Sequence, residues 1–193
     1  KYKNSYLELC RSFELTLNNL LKSDAHLSSI LKTVETLDLH DCWIAAGIIR
    51  NKVWDSLHNI KTETNDIDVI YFDEADTSIQ AEKILEAKLN KLMPNQPWSV
   101  KNQARMHSKN NLPPYLCSFD GIANFPETPT AIAARIKQNK IELVAPYGIQ
   151  DLFTYQVRPT PNYTKGSPLH PIYLQRVQEK NWEQTWNRLR IFV

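Results

Sequence analysis

The chain has 193 residues, of which 42% are hydrophobic and 23% are charged, and its formal net charge is +2 at pH 7. These values are typical of a single globular domain spanning residues 1–193, and the small charge argues against a DNA or membrane partner. Cys10, Cys42 and Cys117 show no paired spacing, so neither a disulfide framework nor a zinc site is expected. Without a signal peptide or an apolar run of about twenty residues, the chain is expected to be cytoplasmic.

The first quarter of the chain shows two amphipathic helical patterns. Apolar residues recur at intervals of three and four over 6–21 and again over 27–37, with a break at 23–24. We expect these helices to form an N-terminal extension, 1–38. A short apolar strand is then predicted at 42–47, closed by a glycine, and is followed by a helical segment at 51–57.

Residues 65–72 form the most informative segment of the sequence, because Asp66 and Asp68 are one residue apart in a β-branched and aromatic run. Side chains alternate along a strand, so these two carboxylates are predicted on one face and Ile67, Val69 and Tyr71 on the other. Neighbouring carboxylates repel each other unless a cation lies between them, and Mg²⁺ prefers such oxygen ligands. The alternative is that both acids end a strand in solvent.

A capped helix and a long strand are predicted next. Ser78 is predicted to cap a helix that continues to about Met93 and buries Ile79, Ile84, Leu85, Leu89 and Leu92. A strand is predicted from Trp98 to about His107. Its polar face, formed by Lys101, Gln103, Arg105 and His107, indicates either an exposed sheet surface or the floor of a ligand site.

The remaining elements are shorter. Breaker residues predict a loop over the site at 110–126, and a hairpin with a four-residue turn is predicted for 130–136 and 141–145. A short helix is predicted around 150–155. A helical tail at 172–193 is predicted to dock on the domain through Trp182 and Trp186.

Several sequence blocks occur in order along the chain. They are Trp43-Ile44-Ala45-Ala46-Gly47 with Arg50-Asn51, Asp66-Ile67-Asp68-Val69, Lys101 to His107, Pro126-Glu127-Thr128 with Thr130-Ala131, and Ala145-Pro146-Tyr147-Gly148 with Asp151-Leu152-Phe153. Together these blocks resemble a family of bacterial nucleotidyltransferase-like proteins of mostly unassigned activity, within the DNA polymerase beta-like nucleotidyltransferase superfamily. The resemblance implies an α+β fold, with a mixed sheet flanked by helices, two N-terminal helices and a C-terminal helical tail.

The resemblance also implies a chemistry. Asp66 and Asp68 would hold two Mg²⁺ ions for transfer of a nucleoside monophosphate from a nucleoside triphosphate to a hydroxyl of unknown identity on a protein, an RNA or a small molecule. The turn at Gly47 precedes a helix and could bind phosphates. Arg50 and Asn51 are further nucleotide-binding candidates, together with Lys101, Gln103, Arg105 and His107.

Two features depart from the superfamily pattern. Ile48 follows Gly47, where a serine or second glycine is typical. A third acid is expected on a neighbouring strand, but the predicted strand 98–107 carries none. Asp120 and Glu142 are the candidate substitutes, with Asp120 favoured.

Three functions therefore remain open from sequence. The protein is a Mg²⁺-dependent nucleotidyltransferase, or it is a catalytically degenerate module of the same fold that binds a nucleotide or an RNA. In the third and least favoured hypothesis, the chain is a structural protein that binds a partner through its amphipathic N-terminal helices.

Overall fold

The computed structural model describes residues 2–193, with side chains from Ser5 onward. The helices are α1 (Tyr2–Ser23), α2 (Ala25–Glu35), α3 (Gly47–His58), α4 (Ile79–Leu92), α5 (Gln103–Met106), α6 (Ser118–Ala123), α7 (Gln150–Phe153), α8 (His170–Lys180) and α9 (Trp182–Thr185), with short 3-10 turns at His107–Asn110 and Pro161–Tyr163. The strands are β1 (Trp43–Ala45), β2 (Ile67–Tyr71), β3 (Trp98–Asn102), β4 (Ala133–Lys137), β5 (Lys140–Val144), β6 (Gln156–Val157) and β7 (Arg190–Ile191).

The central sheet of the described chain has five strands in the order β3-β2-β1-β4-β5. Strand β2 is parallel to β3, whereas β1 is antiparallel to both β2 and β4, and β4 and β5 form an antiparallel hairpin. A separate two-stranded parallel sheet joins β6 to β7. This arrangement confirms the predicted α+β class with a mixed sheet flanked by helices. No helix within residues 2–193 is both long and apolar enough to cross a bilayer.

The two faces of the central sheet have different environments. Ile67, Val69 and Tyr71 of β2 belong to the main core, which also contains the buried residues of α1 to α3. The opposite face carries a smaller apolar cluster that includes Ile70 and is covered in part by Ile122 of α6. Because side chains alternate along a strand, Asp68 lies on the same face as Ile70. The predicted separation of Asp68 from the main core is therefore confirmed.

Both ends of the chain pack on this main core. The predicted break between α1 and α2 is confirmed, since the Asp24 side chain caps α2 by accepting a hydrogen bond from Leu27 N at 2.9 Å. At the other end, Trp182 and Trp186 are each 4% exposed and contact the ring of Trp54. The tail therefore docks as predicted. It is not one helix, because Asn181 has a φ of 45° and separates α8 from α9.

The predicted buried face of α4 is wrong in part, because Leu85 and Leu89 face inward as predicted but the other three residues do not. Ile79, Ile84 and Leu92 are 60%, 59% and 52% exposed, whereas Glu82 is fully buried. The inward face consists of Glu82, Leu85, Glu86 and Leu89, which have the i, i+3, i+4, i+7 spacing of one helical stripe. Two glutamates face β3 because their carboxylates accept hydrogen bonds from backbone N–H groups, Glu82 from Asn102 at 2.7 Å and Glu86 from Val100 at 3.0 Å.

The predicted strand 98–107 is also shorter than expected. Strand β3 ends at Asn102, whose side-chain oxygen accepts a hydrogen bond from Ala104 N at 3.1 Å and so caps α5. The same oxygen accepts from Asp73 N at 3.0 Å, which ties this turn to the segment after β2. Gln103, Arg105 and His107 therefore do not share a strand face with Lys101.

Two predictions for the following segments also need correction. The loop predicted at 110–126 contains the short helix α6. The β4–β5 hairpin has a two-residue turn, because Lys137 pairs with Lys140. Gln138 and Asn139, the two central residues, have φ values of 50° and 61°. Such left-handed backbone suits the tight turn of a twisted hairpin.

Candidate nucleotidyltransferase site

The turn between β1 and α3 forms one wall of the candidate site. Ala46 has a φ of 62° and a ψ of −124°, and its N–H donates to Ile132 O at 2.9 Å, while its carbonyl accepts from Ile49 and Arg50. Gly47 is the first residue of α3 and does not have a positive φ. An added Cβ on Gly47 would meet only the Arg50 guanidinium, at 3.4 Å. The protein itself thus leaves space at Gly47, beside the positive end of the helix dipole.

Asp66 and Asp68 lie beside this turn. Asp68 is paired with Ala45 of β1 and with Ser99 of β3, and Asp66 is exposed immediately before β2. Burial and, as a smaller cause, the charge of Asp66 together raise the pKa of Asp68 to about 6. Arg176, the hydroxyl of Ser99 and Arg50 act in the opposite direction on the same pKa. The two carboxylates are therefore close enough to interact, although Asp66 lies before β2 and not within the strand predicted at 65–72.

Arg50 is a buried cation next to the acid pair. Its side chain is only 4% exposed, and its guanidinium donates to Thr130 Oγ1 at 2.8 Å and to Asn51 Oδ1 at 2.9 and 3.1 Å. The guanidinium also stacks on the rings of Trp54 and Trp182, at 5.0 and 4.5 Å from their centroids. Burial lowers its pKa to about 10.

This guanidinium makes no salt bridge of 4 Å or less with a carboxylate in the part of the chain that the structure describes. A desolvated cation without a paired anion is an energetically costly arrangement. The site is therefore suited to binding an anion near Arg50.

A second cation, Arg176 of α8, was missed by the sequence analysis. Its Nε donates to Glu127 Oε1 at 2.5 Å, and Glu127 is fully buried. The second carboxylate oxygen of Glu127 has no hydrogen-bond partner among the described residues. Glu127 belongs to the Pro-Glu-Thr block, which was its only sequence signal. Nothing in the local pattern of α8 distinguishes Arg176 from its exposed basic neighbours.

Two cavities are lined by the candidate carboxylates and guanidinium groups. The Asp68 cavity, of about 340 Å³, is lined by Ala46, Asp68, Gln103, Tyr115, Tyr163 and Arg176 among others. The Asp66 cavity, of about 350 Å³, is lined by Gly47, Arg50, Asn51, Asp66, Lys180 and Trp182 among others. Each carboxylate of the acid pair therefore lines a cavity, Asp68 one and Asp66 the other.

The four polar residues that were predicted on one strand face make contacts with different parts of the protein. Lys101 and Gln103 line the Asp68 cavity. Arg105 instead forms a bidentate pair with the buried Glu82, at 2.7 and 2.6 Å, and so does not point to that cavity. His107 contacts the edge of Tyr115, with ring centroids 6.0 Å apart.

The two candidates for a third acid are placed elsewhere. Asp120 lies in α6, where it accepts a hydrogen bond from Leu116 N at 2.8 Å. Glu142 lies on β5 and forms a salt bridge with Arg135 of β4, at 2.6 Å. Strands β1 and β4 separate β5 from β2, which corresponds to roughly 14 Å at about 4.8 Å per strand. Within residues 5–193, no three His, Cys, Asp or Glu side chains converge as a metal-binding group.

Comparisons with known proteins agree with this architecture. Residues 32–191 match the family model described as Nucleotidyltransferase. An NMR structure described as revealing a CCA-adding enzyme head domain is 34% identical, with a TM-score of 0.82, and the match covers 91% of this chain and 94% of that one. No curated protein matches the chain.

Two structures of CCA-adding enzymes are more distant. A complex with ATP is 13% identical with a TM-score of 0.59, and an apo form is 17% identical with a TM-score of 0.50. Each match covers 92% of this chain but only 43% and 42% of the enzyme, so the chain spans less than half of their length. These two likenesses concern the fold. The family match and the 34% identical head domain show that the chain belongs to the nucleotidyltransferase family.

Proposed function

We propose that the protein is a Mg²⁺-dependent nucleotidyltransferase that transfers a nucleoside monophosphate from a nucleoside triphosphate to a hydroxyl acceptor. Family membership supports a transferase that uses a nucleoside triphosphate. The observation that carries the proposal is that Asp66 and Asp68 share cavity walls with the β1–α3 turn and with the guanidinium groups of Arg50 and Arg176.

The carboxylates fit a divalent metal. Mg²⁺ is commonly held by one or two protein carboxylates, with water and substrate phosphates completing its coordination. Asp66 and Asp68 supply such a pair, and a cation would relieve both the burial and the repulsion by Asp66 that raise the pKa of Asp68. When bound, Mg²⁺ ions would stabilise the charge on the attacking and leaving oxygens.

The cationic groups fit the phosphates of the donor. Arg50 is held by Thr130 and two tryptophan rings, so its guanidinium is already ordered before an anion arrives. Gly47 leaves its backbone accessible at the start of α3. ATP is bound in one of the structurally similar CCA-adding enzymes, which supports a nucleoside triphosphate as the ligand of this chain.

The catalytically degenerate binding module remains the second candidate. It is favoured by one observation, that no third carboxylate joins Asp66 and Asp68 among residues 5–193. Ser99 instead lies opposite Asp68 on the neighbouring strand. In this alternative the arginines would bind a nucleotide or RNA phosphate without transfer.

Pyrophosphate release separates the two candidates. The full chain would be incubated with Mg²⁺ and each labelled triphosphate, with RNA, protein and small-molecule hydroxyl acceptors. The wild type is expected to release pyrophosphate and label an acceptor, whereas Asp66→Asn/Asp68→Asn is expected to lose both. A matched control is Glu8→Gln/Glu14→Gln, which removes two charges from exposed positions on α1. Triphosphate binding without release in any reaction would reject the enzyme in favour of the binding module.

A further inference from the structure

We infer that the Asp68 cavity is the nucleobase site of this protein and that Gln103 determines base preference. The inference rests on the proposed function and adds to it the group that would distinguish one nucleoside triphosphate from another. It follows from the environment of the Gln103 carboxamide and from the composition of the cavity wall.

Gln103 is a buried amide with unused hydrogen-bonding capacity. It is 3% exposed and lines the cavity that contains Asp68. Within the described chain its carboxamide makes one hydrogen bond, from Nε2 to Lys101 O, and that bond is 3.5 Å long. A carboxamide offers two donors and an acceptor, so this one keeps hydrogen-bonding capacity that no protein group uses. A ligand in the cavity would supply the missing partners.

Gly121 holds this carboxamide in place. A Cβ added to Gly121 would lie 2.2 Å from Gln103 Oε1 and 2.8 Å from its Cδ, so the amide occupies the space that a side chain would take. Gly121 does not have a positive φ, and glycine within a helix is less stable than alanine by about 0.5–1 kcal/mol. Glycine is therefore required at position 121 because the Gln103 carboxamide packs against α6 at this point.

The rest of the wall suits a flat heterocycle. Tyr115, Phe125 and Tyr163 line the same cavity, and aromatic rings are the usual surfaces on which nucleobases stack. Tyr163 is fixed by a hydrogen bond that its hydroxyl accepts from Asn110 Nδ2 at 3.1 Å. Asp68 is the one carboxylate among the lining residues, so a base bound in this cavity would lie beside a candidate metal ligand.

Base preference follows from the chemistry of the amide. A glutamine pairs well with adjacent donor and acceptor atoms, such as N6 and N7 of adenine. A glutamate offers acceptors alone, and guanine presents two adjacent donors, N1–H and N2–H. Gln103→Glu is therefore expected to shift preference from ATP towards GTP.

The test measures the dissociation constants of ATP, GTP, CTP, UTP and inorganic triphosphate for the full chain in Mg²⁺. Gln103→Glu is expected to change the ATP:GTP ratio of dissociation constants by about tenfold in favour of GTP. Gly121→Ala, which displaces the carboxamide without altering its chemistry, is expected to reduce any wild-type preference to within about threefold. Gln80→Glu on exposed α4 makes the same charge change and is expected to keep the wild-type ratios.

Three outcomes would overturn the inference. Folded variants, checked by thermal melting, that keep the wild-type ratios would exclude Gln103 as the group that selects the base but leave the proposed function intact. Equal affinity of the wild type for all four nucleotides and for inorganic triphosphate would exclude a nucleobase site. No binding of any triphosphate would overturn both this inference and the proposed function.

Discussion

Glu127 and Arg176 form an ion pair across 49 positions of sequence, with Arg176 Nε donating to a carboxylate that is fully buried. The pair connects the segment before β4 to helix α8, and it directs a guanidinium towards the cavity that contains Asp68. The C-terminal tail is thus a part of the candidate site as well as a cover for the core.

Loss of Glu127 is expected to lower both stability and nucleotide affinity. Glu127→Ala would leave Arg176 without its anion, and breaking such a pair costs about 2 kcal/mol when one partner remains partly exposed. Urea unfolding measures this cost, and equilibrium dialysis with a nucleoside triphosphate measures the affinity. Glu127→Gln retains an acceptor for Arg176 and is expected to lose less of both. Equal affinities for wild type and Glu127→Ala would show that Arg176 is not a phosphate ligand.

Arg50 is expected to serve binding at the expense of stability. Arg50→Met removes a desolvated charge that has no carboxylate partner, so the ligand-free melting temperature should not fall. Its affinity for a nucleoside triphosphate should fall about tenfold or more, because a charge-assisted contact to phosphate is lost. Arg50→Lys is the matched control for charge. Lysine lacks the planar fork that reaches Thr130 and Asn51 together, and should restore little of the affinity. Unchanged affinity in Arg50→Met would contradict this role.

Arg105 and Glu82 are expected to stabilise the fold without contributing to nucleotide binding. Arg105→Ala would leave the buried Glu82 carboxylate unpaired except for Asn102 N and the side chain of Lys101, 4.0 Å away. The expected loss is about 3 kcal/mol in the free energy of unfolding, measured in urea. Nucleotide affinity of the folded variant should equal that of the wild type. A selective loss of affinity with normal stability would return Arg105 to the binding surface that the sequence predicted.

Asp24 is expected to make the stability of the ligand-free protein depend on pH. Burial raises the pKa of Asp24, but hydrogen bonds from Leu27 N and Lys52 outweigh burial and hold it below its usual value of 3.8. Because the folded pKa is below the unfolded one, this stabilisation is fully present above about pH 4 and is lost as the pH falls through the folded pKa.

The comparison of wild type with Asp24→Asn isolates the charge, since asparagine also caps helices well. The difference in unfolding free energy should be about 1 kcal/mol at pH 7 and should shrink below about pH 4. Urea titrations between pH 3 and pH 7 measure it. The same comparison in a Lys52→Met background should give a smaller difference. A difference that does not vary with pH would contradict the assignment.

Local patterns predicted the elements whose formation depends on local interactions. The two N-terminal helices with the break between them, the turn after β1 and the strand carrying Asp68 all follow from apolar periodicity or from a glycine that closes a strand. The predictions failed where a polar side chain serves the interior. Asn102 ends β3 because its carboxamide caps α5, and Glu82 faces inward because Arg105 and a backbone N–H satisfy it. Periodicity places polar groups outside by default, so it misassigned both segments.

The sequence alone determined the family, the fold class and the acid pair, because short blocks and strand alternation are local properties of the chain. Only the tertiary structure decided the surroundings of that pair. It brought Arg176 and Glu127 to the site from distant segments, placed Glu142 on a remote strand and paired Arg105 with Glu82. Such contacts depend on the packing of elements far apart in sequence, and charge pairing between them has no periodicity by which it could be predicted.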